Sequence, residues 1–256
     1  SSIRGSLNFK PQSKYPDLDL KAQLGSLEWI KQFREQKLPQ GKFDLQLQAD
    51  SQAKGSRVNI DLKSDNFQYA QIKADALQTQ IELQAGDLSA LRSWSGTAKL
   101  QLKDLQRKDL KLKQASLSSS GNTDDLNFSL QARGSFKHDL QLLLKGRSKL
   151  EAKELRLTWQ KMEGSWGRLP FTLQKPAEMQ LSPARLAADR TTISLGKAKI
   201  ELACSLSREQ KSSALVELKD LELARLFKAQ NMPLTGSLDA KATLQGTLAK
   251  PRLKVD

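Results

Sequence analysis

One histidine, one cysteine and a pair of adjacent aspartates are the residues of this 256-residue chain with the most obvious chemical reach. His138 stands between Lys137 and Asp139, just ahead of an apolar run. A general base needs an oriented partner and a pocket; a surface turn residue needs neither, and the surrounding sequence fits the turn. Asp124 and Asp125 sit in a loop with Gly121 and Asn122, but no further carboxylates follow at the spacing of a calcium loop. Cys204 is alone, which excludes an intramolecular disulfide and leaves no Cys/His cluster for a metal. Neither GxxxxGKS/T nor GxGxxG occurs, and Gly246 to Lys250 reads as a strand end. These residues predict a protein that is not an enzyme and carries no metal and no cofactor.

What the chain spells out instead is a surface. From Lys42 to Ala49, Phe43, Leu45, Leu47 and Ala49 alternate with Lys42, Asp44, Gln46 and Gln48. Strict alternation gives a β-strand with one apolar and one polar face. The same phase returns at Val58, Ile60 and Leu62, at Ala98, Leu100 and Leu102, and at Leu126, Phe128, Leu130 and Ala132. It returns again at Ala198, Ile200, Leu202, Cys204 and Leu206, and at Leu238, Ala240, Ala242 and Leu244. Cys204 is in phase, so it reads as a small inward hydrophobe. The fold class expected is all-β with a few short helices, one repetitive antiparallel sheet over residues 1–256 with its apolar side turned inward. The candidate lining of that side is Phe43, Leu45, Leu47, Val58, Ile60, Leu62, Ala98, Leu100, Leu102, Leu126, Phe128, Leu130, Ile200, Leu202, Leu238, Ala240 and Leu244.

Composition narrows what such a face does. Aromatic residues make up 5% of the chain, and Leu and Ala hold inward positions where β-branched and aromatic residues usually fill a packed core. A Leu wall is smooth and adaptable. The formal net charge of +14 would point to nucleic acid or an anionic membrane if it were clustered. Lys and Arg instead alternate with Gln, Asp, Ser and Glu along the polar faces, most densely from Lys99 to Lys113. No stacking pattern of aromatics is interleaved with them, so a solvated outer face is expected and nucleic acid is not.

The elements are organised as repeats. Leu27 to Pro39 (LEWIKQFREQKLP) matches Leu221 to Pro233 (LELARLFKAQNMP) at Leu, Glu, Phe, Gln and Pro, and each precedes a glycine and an alternating run. A shorter copy runs from Gly86 to Gly96, closed by Trp94. Apolar residues at helical spacing inside these units predict short helices near 24–38, 86–94 and 220–231. Trp29, in the position of Leu223, is read as a packing residue. Turn residues at 48–56 and 118–125 predict hairpin loops. The stretch 154–188, with Trp159, Trp166, Pro170, Pro176 and Pro183, is expected to bend or interrupt the sheet, with the tryptophans packing there or standing at a groove rim. No apolar run reaches the roughly 18 residues of a membrane-spanning helix and no signal peptide opens the chain. Strand-like sequence close to both ends predicts a segment of a longer protein.

Residues Glu154 to Ser207 and Leu215 to Asp256 resemble the TamB family of AsmA-like proteins. The resemblance lies in Trp159 and Trp166 preceding Leu169–Phe171, and in the closing pattern carried by Gly236, Leu238, Ala240, Leu244, Gly246, Thr247 and Pro251. It covers about the last 100 residues; before Leu150 only the general pattern matches. The resemblance implies a Gram-negative periplasmic protein anchored in the inner membrane by an N-terminal helix outside this segment. It also implies an open β-taco trough lined for lipid, with phospholipid acyl chains as cargo. A TamA-like outer-membrane partner, reached through regions outside the segment, is implied as well. Read from the pattern alone, strands of about seven to nine residues span roughly 23–30 Å, and about 17 of them at ~4.8 Å spacing make about 80 Å. The same alternation also suits a closed sandwich or barrel acting as a spacer.

Overall fold

The structure, a computed structural model, describes residues 2–8, 17–24, 39–52, 55–86, 94–122, 124–151, 154–207, 210–223, 235–247 and 250–256. These fall into two compact units, Ser1–Asp139 and Leu140–Asp256. The helices expected near 24–38, 86–94 and 220–231 lie outside the described residues, except at their ends. There Leu24, Trp94 and Asp220 to Glu222 belong to strands, so Trp94 opens a strand where it was expected to close a helix.

The first unit holds β1 (Ser2–Asn8), β2 (Asp17–Leu24), β3 (Gln40–Gln52), β4 (Gly55–Tyr69), β5 (Ile72–Ala85), β6 (Trp94–Arg107), β7 (Leu110–Asn122) and β8 (Asp125–Phe136). Each pairs antiparallel with the next in sequence. From β3 to β8 the strands run 12 to 15 residues, well beyond the length expected from sequence. The hairpin loops are correspondingly tight. Asn122 Oδ1 accepts from the backbone N–H groups of Asp124 (3.0 Å) and Asp125 (2.7 Å), turning the chain from β7 into β8.

The second unit holds β9 (His138–Glu151), β10 (Glu154–Trp166), β11 (Leu169–Leu173), β12 (Ala177–Leu181), β13 (Arg185–Leu195), β14 (Ala198–Ser207), β15 (Ser212–Glu222), β16 (Ser237–Thr247) and β17 (Lys250–Val255). The interruption expected in 154–188 is local. β11 and β12 pair with successive stretches of β10 on one side and of β13 on the other, so they act as one strand broken at Gln174, Lys175 and Pro176. Pro176 has no N–H to give to a ladder, and the break falls where it stands.

Bulges adjust the alternation. Between β3 and β4, Gln40 pairs with Gln68 but Lys42 with Asp65, so β4 carries an extra residue beside Asn66, whose φ is 54°. Ser64 and Phe67, three apart, therefore face the same side. The step repeats across neighbours: Leu77 and Ala74 on β5, Leu102 and Leu105 on β6 beside Asp104 (φ 51°), and Ala115 and Leu112 on β7. Asn and Asp tolerate the left-handed backbone region better than most residues. A bulge bends its strand. Small residues close the fold along this line: Ser64, Ala74, Ala115 and Ala132 are buried, as is Phe43.

Glycines bend the sheet further. A Cβ on Gly96 would stand 2.0 Å from the carbonyl oxygen of Glu82, one on Gly134 2.1 Å from that of Lys111, and one on Gly164 2.0 Å from that of Gln141. All three project to the apolar side, because their partners are Leu83, Leu112 and Phe171. Neighbouring backbone leans over that side, so each unit is concave there toward its apolar face. Gly96→Ala and Gly164→Ala should each lose about 2 kcal/mol or more. Gly5→Ala, whose Cβ would meet only Leu20 Cδ1 at 3.1 Å and Asp19 O at 3.2 Å, should lose well under half of that. Urea denaturation of the three variants checks this; equal small losses would mean the glycines set no curvature.

Candidate functional site

Cross-strand register decides which side chains share a face, because directly paired residues project to the same side. In the first unit one row runs Gly5, Leu20, Leu47, Ile60, Ile81, Ala98, Ser119, Phe128. The next runs Ile3, Ala22, Leu45, Leu62, Thr79, Leu100, Leu117, Leu130. Val58 and Leu126 belong to the row on one side of these, and Phe43 and Leu102 to the row on the other. All twelve candidate lining residues of this unit lie on one face.

The second unit repeats the arrangement. Ile193, Ile200, Leu218 and Ala240 form one row; Thr191, Leu202, Val216 and Ala242 form the next. Leu238 pairs with Leu221, and Leu244 with Ala214, so Ile200, Leu202, Leu238, Ala240 and Leu244 also share one face. Cys204 joins it between Ala188 and Ala214. Trp159 lies opposite Gly146 and Ala177, and Trp166 opposite Leu140 and Leu169, which places both tryptophans on the apolar face. Sequence reading left out Leu20, Ile81 and Leu117 from the lining. The alternation of Leu18, Leu20, Ala22 and Leu24 was a sufficient signal for the first.

These faces are apolar but not sealed. Among the described residues the buried hydrophobic side chains larger than alanine are Phe43, Leu169 and Leu221. Of the candidate lining residues, only Phe43 is buried; Leu202 (36%) and Leu238 (43%) are exposed and the others are half-buried. A sheet packed under a second layer would bury such residues almost completely. No ionisable group interrupts the two quoted rows of the first unit, where Ser119 and Thr79 are the only hydroxyls.

The opposite face carries the charges. Glu201 and Glu217 are direct cross-strand partners, an arrangement that is unfavourable by itself. Arg190 resolves it. The register shift between Ala188 and Thr191 places Arg190 in a bulge. From there it donates hydrogen bonds to Glu201 through Nε (2.8 Å) and Nη2, and its Nη2 lies 3.5 Å from Glu217. Lys219 approaches Glu217 at 3.3 Å. The hydrogen-bonded guanidinium holds the Glu201 carboxyl below the ordinary carboxylate value of 4.5; burial opposes this, and the charges of Arg190, Lys219 and Lys199 reinforce it.

His138 begins β9 and is exposed. Two shallow depressions, of 490 Å³ around Gln101, Lys103 and Lys113 and of 380 Å³ around Lys219, Asp239 and Lys241, bring together no nucleophile and base. Among the described residues no group of three or more His, Cys, Asp or Glu could hold a metal, and no helix is long and apolar enough to cross a membrane. Comparison with protein-family models, with curated proteins and with solved structures finds no match.

The Arg190 cluster has a pH signature. Because folding lowers the Glu201 pKa, its contribution is fully present above the unfolded value and is lost as pH falls through the folded one. Arg190→Gln should therefore melt below the unsubstituted protein at pH 7, where Glu201 and Glu217 face each other unbridged. The gap should close as pH falls from about 5 to about 3 and the Glu201 carboxyl protonates. Thermal melts across that range test it, and a gap independent of pH would remove Arg190 from this role.

Proposed function

We propose that this chain is a non-enzymatic hydrophobic conduit. It shields acyl chains during phospholipid movement between the inner and outer membranes of a Gram-negative envelope. On this reading it is a periplasmic segment of a TamB/AsmA-like protein, with the membrane anchor and any TamA-like partner contact, and so a role in outer-membrane protein assembly, supplied by regions outside it. The observation that carries the proposal is the apolar face itself: continuous across eight strands in the first unit, concave at its glycines, and half-open to solvent.

The physics is that of a solvent substitute. Moving a CH₂ group from hydrocarbon into water costs about 0.8 kcal/mol, so two long tails face a barrier on the order of 20 kcal/mol. A wall of Leu, Ile, Ala and Phe removes most of it. Because that wall offers few hydrogen bonds, it holds a tail about equally at each position, which favours sliding over storage. A sandwich or barrel serving as a spacer would close over those same side chains, and their half-exposure speaks against it.

Photo-crosslinking side chains at Leu45, Leu100 and Leu202 should capture phospholipid, and those at Gln46 and Gln101 should not. Equal capture at both sets would overturn the conduit. Leu202→Asp should leave the circular dichroism melt almost unchanged, because the site is already open to water, while it abolishes complementation by the full-length protein. If that variant does not fold, the face is a packed core and the spacer reading replaces this one.

A further inference from the structure

The apolar face of the first unit ends at two rims. One rim is made by the turns between Tyr69 and Ile72 and between Arg107 and Leu110, and by the end of β8 at Phe136. Tyr69 pairs with Ile72, Arg107 with Leu110, and Leu110 with Phe136. Leu110 alternates with Leu112, so this last row, Arg107 included, is on the apolar side. Tyr69 and Phe136 are 44% and 46% exposed. Lys108 and Lys137 stand exposed in the turns beside the row, while Lys73 and Lys111, paired with Gln68 and Gln106, project to the polar face. None of these four, nor Arg107, forms an ion pair with a described residue. Asp109 and Asp139 are the acids beside them.

An arginine at the water edge of an apolar face, in a row that also carries two exposed aromatics and beside the exposed lysines of two turns, is matched to an amphiphile whose anionic group adjoins its tails. Its stem lies on apolar surface while the guanidinium reaches water. The planar fork then grips phosphate oxygens in pairs, as an ammonium does not. Tyrosine suits the same boundary. We infer that this basic rim holds the phosphate of phospholipids whose tails lie in the groove. Headgroups then sit along one rim only, and the groove prefers phosphate-bearing lipids over uncharged ones. The inference rests on the conduit reading and adds orientation and selectivity to it.

The test is lipid loading of the purified chain from detergent, comparing phosphatidylglycerol with diacylglycerol of identical tails, and with glycerol 3-phosphate as a soluble competitor. The unsubstituted protein should prefer phosphatidylglycerol by roughly tenfold, a scale set by a few exposed charge contacts. The preference should shrink at high salt. The triple variant R107Q/K108Q/K137Q should fall to near parity with diacylglycerol loading unchanged, and D50N/D124N should not reduce the preference. Circular dichroism confirms that both variants are folded. Parity in the unsubstituted protein, or an undiminished preference in the triple variant, overturns the rim while the conduit stands. Efficient displacement by glycerol 3-phosphate would show a site for free phosphate esters and overturn the headgroup assignment. If neither lipid loads, the conduit and the rim fall together.

Discussion

Antiparallel register is the constraint from which the rest of this structure follows. Every residue is tied to a partner on the next strand, and a slip of one residue would turn a strand's apolar side chains outward. A single phase therefore has to survive each hairpin, from Leu18 opposite Ala49 to Leu117 opposite Leu130. The bulges obey the same rule. When β4 gains a residue beside Asn66, β5, β6 and β7 accommodate the step in turn, so that Phe67, Ala74, Leu105 and Leu112 rejoin the apolar face together. A lone bulge would have broken that face; a line of them bends it.

The same constraint explains how the chain folds with so few buried large side chains. Backbone ladders and cross-strand neighbours provide stabilisation between adjacent strands, as in repeat proteins whose units contact only those next to them. Much of the burial in the first unit lies along the bulged rows, in Phe43, Ser64, Ala74, Ala115 and Ala132. The small residues among these let backbone approach backbone on the concave side. Larger residues there would force the face flatter, and the glycines at 96, 134 and 164 carry the same requirement to its limit.

Alternation made the face legible because its period belongs to strands alone. The candidate lining residues were readable for that reason, and each is now placed by register. Strand length was not readable: a bulge puts apolar residues three apart, as at Leu102 and Leu105 or Leu218 and Leu221. That spacing mimics a helical turn and ends an alternating run too early. The Arg190–Glu201–Glu217 cluster was hidden for another reason, since three strands bring it together and the bulge that aims Arg190 has no sequence signature. Arg107 was hidden by its neighbours. Within the basic run Lys99 to Lys113 it looks like any outer-face cation, and only the bulge beside Asp104 sets it on the apolar side.

On the proposed conduit reading, strand geometry ties the rim to the groove. From Arg107 to Leu102 is five residues, about 17 Å at ~3.3 Å each. A tail in one leaflet is about 15 Å, half of a ~30 Å hydrocarbon core. A phosphate held at Arg107 would thus lay its tail along β6 over Leu105 and Leu102, ending well short of the opposite rim at Trp94. The neighbouring strands offer Ile72, Ala74 and Leu77 on one side and Leu110, Leu112 and Ala115 on the other. Stepping sideways by one strand, ~4.8 Å, exchanges one Leu/Ala/Ile track for a close equivalent. Tail movement across the strands then meets no deep well, because register keeps the tracks in phase.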